Sequence, residues 1–93
     1  NTPITPIKAS ILAFHGYNDP LIPHQDLIDF QVEMTEAKAD WQLFIFGNTF
    51  HAFTNPKAQS KEKGLQFNKL SSDRSWRIMK RFLRERFEDE PII

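Results

Sequence analysis

The chain has 93 residues, twelve basic and twelve acidic side chains, no net charge and no cysteine. Its 40% hydrophobic and 26% charged content fits one small globular unit and neither a disordered nor a fibrous chain. Balanced charge leaves no basic stripe for a nucleic-acid backbone, the lack of cysteine removes disulfides and thiolate chemistry from these residues, and no apolar run reaches the roughly eighteen residues a membrane span needs.

Residues 1–8 hold Pro3 and Pro6 and read as an extended lead-in, with no Met and no signal-peptide layout. Cytoplasm is the expected location. The run Ile11 to Phe14 is continuously apolar and ends at His15 and Gly16. Such a run suits a strand buried on both faces of a parallel sheet. Asn18, Asp19, Pro20 and Pro23 then mark a loop. From His24 to Lys38, Leu27, Phe30, Met34 and Ala37 recur at helical spacing and form one apolar stripe. Asp26 falls in the first turn, where the helix dipole favours an acid.

Trp41 to Phe46 is the second strand, with Gly47 as its stop. His51 lies in the loop that follows. Residues 52–71 carry no periodic signal. A connector of roughly twenty residues is long, and it is expected to act as a lid or a site wall. The last helix is expected from about Asp73 to Phe87, capped by Ser72 or Asp73. Its apolar face is Trp76, Met79, Phe82, Leu83 and Phe87, its charged face is solvated, and Pro91 ends it. The predicted class is α/β, ordered strand, helix, strand, helix with parallel strands.

Two strands that are apolar on both faces need neighbouring strands and covering helices. The chain is therefore expected to be one part of a larger fold. Residues 1–93 alone are expected to aggregate or stay molten.

Two residues are the candidates for chemistry. Asp19 follows the first strand and His51 follows the second. Sites in open parallel sheets form beyond the carboxyl ends of strands, so both fall on one rim. An Asp that accepts the Nδ1–H of a His fixes its tautomer and leaves Nε2 to take a proton. Each residue also has a plain structural reading: Asp19 closing an Asx-turn before Pro20, His51 as an ordinary loop histidine. Phe50, Phe53 and Phe67 are candidate substrate-lining residues near His51, with core packing as the alternative. His15 is a further candidate near the site, or else a loop-holding hydrogen-bond partner. Trp41 and Trp76 read as sheet–helix core residues. His15, Asp19, His24 and His51 offer metal-ligand atoms, but their spacing is not that of a dense metal motif and no metal or cofactor is expected.

These segments resemble the dienelactone hydrolase family, and the resemblance covers nearly the whole chain. Ile11 to Pro23 resembles that family's glycine, aspartate and proline segment. Glu33 and Met34, then Ala39 to Gln42, then Gly47 leading to His51, Ala52 and Phe53 follow in order, and Arg74, Ser75 and Trp76 complete it. The resemblance implies an α/β-hydrolase sheet, of which residues 1–93 would form the C-terminal portion. It implies that Asp19 is the triad acid and His51 the triad base, in the chain order nucleophile, acid, histidine. It also implies cleavage of a small-molecule ester or lactone.

The departure from the family is the nucleophile. There is no cysteine, and none of Ser10, Ser60, Ser71, Ser72 and Ser75 lies in a Gly-x-Ser-x-Gly elbow. The nucleophile and the oxyanion-hole segment would come from a preceding part of the same fold, and residues 1–93 alone would be inactive. The competing reading is a non-catalytic binding or structural module built on the same sheet.

Overall fold

The computed structural model describes residues 5–87. The lead-in residues 1–4, the acidic stretch from Glu88 and the helix stop at Pro91 lie outside the described residues. Strand β1 spans Ser10–Gly16, helix α1 His24–Glu36 and strand β2 Asp40–Phe46. Two short strands follow, β3 at Gln59–Ser60 and β4 at Leu65–Gln66, with a 3₁₀ turn at Lys61–Lys63 between them. Helix α2 spans Lys69–Phe87.

β1 and β2 pair in parallel, from Ser10 opposite Asp40 to Gly16 opposite Phe46. This register is flush, so the two carboxyl ends finish side by side. On one face Phe14 stacks on Phe44 and Phe46, with ring centroids 5.9 and 6.0 Å away. On the other face Trp41 meets the edge of Phe30 from α1 and donates its indole N–H to the Thr35 hydroxyl at 3.1 Å. Ile78 and Phe82 of α2 lie beside Gln42 and Phe44. The two helices thus flank opposite faces of the sheet, as parallel sheets require.

The predicted stripe of α1 is the packed one: Leu27, Phe30 and Met34 are half-buried and Ala37 is buried. The helix ends two residues before Lys38. Lys38 takes a left-handed φ of 57°, its N–H reaches the Thr35 carbonyl, and Ala39 N–H reaches that of Met34. These are the paired bonds of a Schellman cap, with lysine where glycine is usual.

α2 departs from the sequence expectation at both its start and its face. It begins at Lys69 because Asn68, not Ser72 or Asp73, is the N-cap. The Asn68 side-chain oxygen accepts from Ser71 N–H at 3.0 Å. Its packed face runs through Ser71, Ser75, Ile78 and Phe82, a narrow stripe that lets the helix approach closely. Trp76, Leu83 and Phe87 lie on another side and are exposed, so Trp76 is not a core residue here. The C-terminal end of α2 is tied to the starts of both strands by Arg86, which reaches the Ser10 hydroxyl and Asp40.

Candidate active site

Each half of the site is built on a strand end. After β1, Asp19 N–H bonds the Gly16 carbonyl at 3.1 Å and closes a tight turn. Tyr17 N–H and Asn18 N–H then cross to the Phe46 and Thr49 carbonyls at 2.8 and 2.9 Å. The acid loop is thereby stitched to the loop after β2. The approach is closest at Gly16, where a Cβ would sit 2.4 Å from the Thr49 carbonyl oxygen. Only glycine permits that contact.

Asp19 divides its two oxygens. Oδ1 accepts Leu21 N–H at 2.8 Å, and Oδ2 lies 2.8 Å from His51 Nδ1. The Asx-turn and the pairing with His51 are therefore both present. The turn fixes the carboxylate, and the second oxygen is left for the imidazole. The Asp19 side chain is only 3% exposed, while that of His51 is 44% exposed. With Nδ1 against a carboxylate, Nδ1 carries the proton, and Nε2 makes no hydrogen bond among the described residues.

The segment after His51, expected over 52–71 to be a lid or a site wall, puts Ala52, Phe53 and Thr54 on the wall of the cavity beside His51. It clamps the histidine. His51 N–H donates to the Gly64 carbonyl at 2.9 Å, and the His51 carbonyl accepts from Gln66 N–H at 3.1 Å. His51 thus pairs like a strand residue with Leu65. Gly64 reaches this place at φ 82°, in contact range of the Pro20 ring. Asn48 and Ala52 also take left-handed φ values, of 52° and 59°. Such positions cost energy outside glycine and persist where the surroundings hold them. Thr49, fully buried, supplies part of that hold: its hydroxyl bonds the Gly47 carbonyl at 2.8 Å and the Ser71 hydroxyl at 2.7 Å. Asn68 adds a bond to the Asn48 carbonyl at 3.0 Å.

The Asp19–His51 pair opens on a cavity of about 280 Å³ walled by Phe14, Ile22, Phe50 and Phe53. Phe53 is both wall and core, buried edge-on against Phe46. Phe67 does not reach this cavity. It lines a separate cleft with Phe50. His15 lines the Asp19–His51 cavity and is 6% exposed, but the loop-holding hydrogen bond expected of it is not made: its Nε2 is buried without a partner among the described residues. Burial lowers its pKa from the ordinary histidine value, His24 and His51 add to that, and Asp19 opposes it. His24 starts α1 and its ring lies tilted against that of Tyr17, with centroids 4.8 Å apart, and it does not line the cavity. No three His, Asp or Glu side chains among the described residues group to hold a metal ion, and no helix of the described residues is long and apolar enough to cross a membrane.

A parallel sheet flanked by helices, with an acid and a histidine on adjacent strand ends, has the α/β-hydrolase arrangement. The comparisons narrow it. Residues 2–87 match the dienelactone hydrolase family, and the chain belongs to it. Among solved structures it is similar to a dienelactone hydrolase-like promiscuous phosphotriesterase from metagenomic libraries, with 35% identity and a TM-score of 0.80. That match covers 85% of this chain and 34% of the other, so the chain spans about a third of that protein's length. The search of curated proteins found no significant match.

Sequence reasoning missed Gly64, Thr49, Ser71 and Asn68 as supports of the site. Asn68 carried a local signal, an Asn three residues before Ser71 and just ahead of an amphipathic run. The others act through contacts distant in sequence and had no local signature.

Proposed function

We propose that this chain is the acid–base part of a hydrolase that cleaves an ester or lactone through a nucleophile–His–Asp triad. The nucleophile would come from a part of the fold outside these 93 residues, as would the backbone N–H groups that hold the oxyanion. The observation that carries the reading is the 2.8 Å contact between His51 Nδ1 and Asp19 Oδ2, with the acid buried and the base half-open.

In this reading His51 Nε2 takes the proton of the nucleophile as it attacks the carbonyl carbon, then gives it to the departing alkoxide. A water next attacks the acyl-enzyme, with His51 again taking a proton and returning it to the nucleophile. Asp19 stays ionised throughout and supports the imidazolium. The phenylalanine walls around His51 suit an apolar acyl or alcohol group. The named activity of the metagenomic relative, on phosphotriesters, is compatible with the same proton path at phosphorus.

The test is an acid quench of the intact protein during turnover of 4-nitrophenyl acetate, followed by peptide mass spectrometry. The reading expects one acetyl group on a serine or cysteine outside residues 1–93. Turnover with no acyl adduct under rapid quench contradicts the covalent route.

A further inference from the structure

Phe50 also lines a second cleft, of about 350 Å³, together with Asn18, Asn48, Lys61, Gln66, Phe67 and Asn68. We propose that this cleft is a substrate subsite for an aryl group bearing an anion, either carboxylate or phosphate, held by Lys61 between the phenyl rings of Phe50 and Phe67. The proposal rests on the hydrolase reading and names the class of substrate that the same site takes.

Four observations carry it. The lining holds one cation and no carboxylate. The nearest acid in sequence, Glu62, is turned to the Ser60 hydroxyl at 3.1 Å. Three of the five polar side chains of the cleft are also uncommitted. Lys61 Nζ and the side-chain amides of Asn18 and Asn48 make no hydrogen bond among the described residues, whereas Asn68 is used as a helix cap and Gln66 Nε2 is bonded to the Phe67 carbonyl. Free amide N–H groups and an ammonium in the lining of one cleft favour an acceptor-rich anion.

The third observation is aromatic. Phe50 and Phe67 give the cleft apolar surface as well as charge. The fourth is continuity. Phe50 walls both this cleft and the His51 cavity, and Asn18 adjoins Asp19. The proposed substrate would place its ester at His51 and its charged end at Lys61, with Phe50 as the wall common to both. The volume lies at the lower end of the usual range for small-ligand pockets, roughly 300 to 1,000 Å³, which suits a single substituted ring.

The experiment uses the intact protein and three probes in calorimetric titrations: benzoate, phenyl phosphate and uncharged benzyl alcohol. Turnover of phenyl acetate, a neutral ester, is measured in parallel. Benzoate and phenyl phosphate are expected to bind and to compete with phenyl acetate. Lys61→Met should weaken both by about tenfold, the scale of a hydrogen bond to a charged group. It should leave benzyl alcohol binding and the melting temperature unchanged, and Lys61→Arg should restore the affinity. Anion affinity that is unaltered in Lys61→Met, or equal to that of benzyl alcohol in the wild type, overturns the subsite. Absence of phenyl acetate turnover in the wild type counts against the hydrolase reading alone, because the calorimetry still reads the cleft.

Discussion

Gly16 ends β1 in direct backbone contact with Thr49, and that contact sets the distance between the two halves of the site. A Cβ at position 16 would lie 2.4 Å from the Thr49 carbonyl oxygen and 2.9 Å from that of Phe50, both backbone atoms of the histidine loop. Gly16→Ala must push the loop away. Overpacking of this kind costs about 1–3 kcal/mol, and a displacement of about 1 Å at a catalytic group costs on the order of a hundredfold in rate. Steady-state kinetics of the intact protein should show kcat lowered by about two orders of magnitude, with a lower melting temperature. Wild-type kcat in Gly16→Ala would show that the loop spacing does not matter.

The Thr49–Ser71 hydroxyl pair fastens the histidine loop to α2. Thr49 is fully buried and the bond is 2.7 Å. Thr49→Val keeps the shape but leaves the buried Ser71 hydroxyl without its partner. The expected loss is about 1–3 kcal/mol in chemical denaturation. Adding Ser71→Ala should cost less than the sum of the two single changes, because the orphaned group is then gone. Strict additivity would mean the two hydroxyls do not work as a pair.

His15 gives the protein an acid-side weakness. Burial lowers its folded-state pKa below the unfolded value of about 6.5. The contribution is therefore fully present above the unfolded value and is lost as pH falls through the lower folded value. Melting temperatures of the intact protein measured from neutral to mildly acidic pH should fall less steeply in His15→Gln than in the wild type. Identical slopes would mean that His15 titrates alike in both states.

The hydrophobic core of the described residues is small. Ala37, Phe53 and Ala58 are its buried apolar side chains, while Ile28, Val32, Ile45, Trp76 and Phe87 are exposed. The radius of gyration is 15.5 Å, against about 12 Å for a compact chain of this length. Exposed apolar area on this scale marks surfaces that other protein normally covers. The isolated 93-residue chain should associate and melt without a sharp transition in sedimentation and circular dichroism. A dilute monomer with cooperative unfolding would contradict this.

Much of the candidate site was legible in the sequence because its acid and its histidine sit just past strand ends. The apolar runs Ile11 to Phe14 and Trp41 to Phe46 mark those strands, and Asp19 and His51 follow each at short distance. Less legible was what holds them. Gly64 and Leu65 meet His51 across a segment with no periodicity, and their backbone bonds leave no mark on side-chain pattern. The face of α2 was misread for a related reason. Ser71 and Ser75 are buried there by close approach, and hydrophobic periodicity assigns serine to solvent and tryptophan to the core. Trp76 would pack where periodicity puts it only if further protein lay against that side.

The most direct test of the central claim is His51→Ala in the intact protein, read as kcat/KM for 4-nitrophenyl acetate beside Asp19→Asn. Asp19→Asn keeps an acceptor for Leu21 N–H but loses the charge that supports the imidazolium. Losses of roughly 10⁴-fold or more are expected for each, with little further loss when the two are combined, because members of a triad act as a unit. The melting temperature of His51→Ala should stay close to that of the wild type. Retained turnover in a folded His51→Ala protein would contradict the account and remove this histidine from the chemistry.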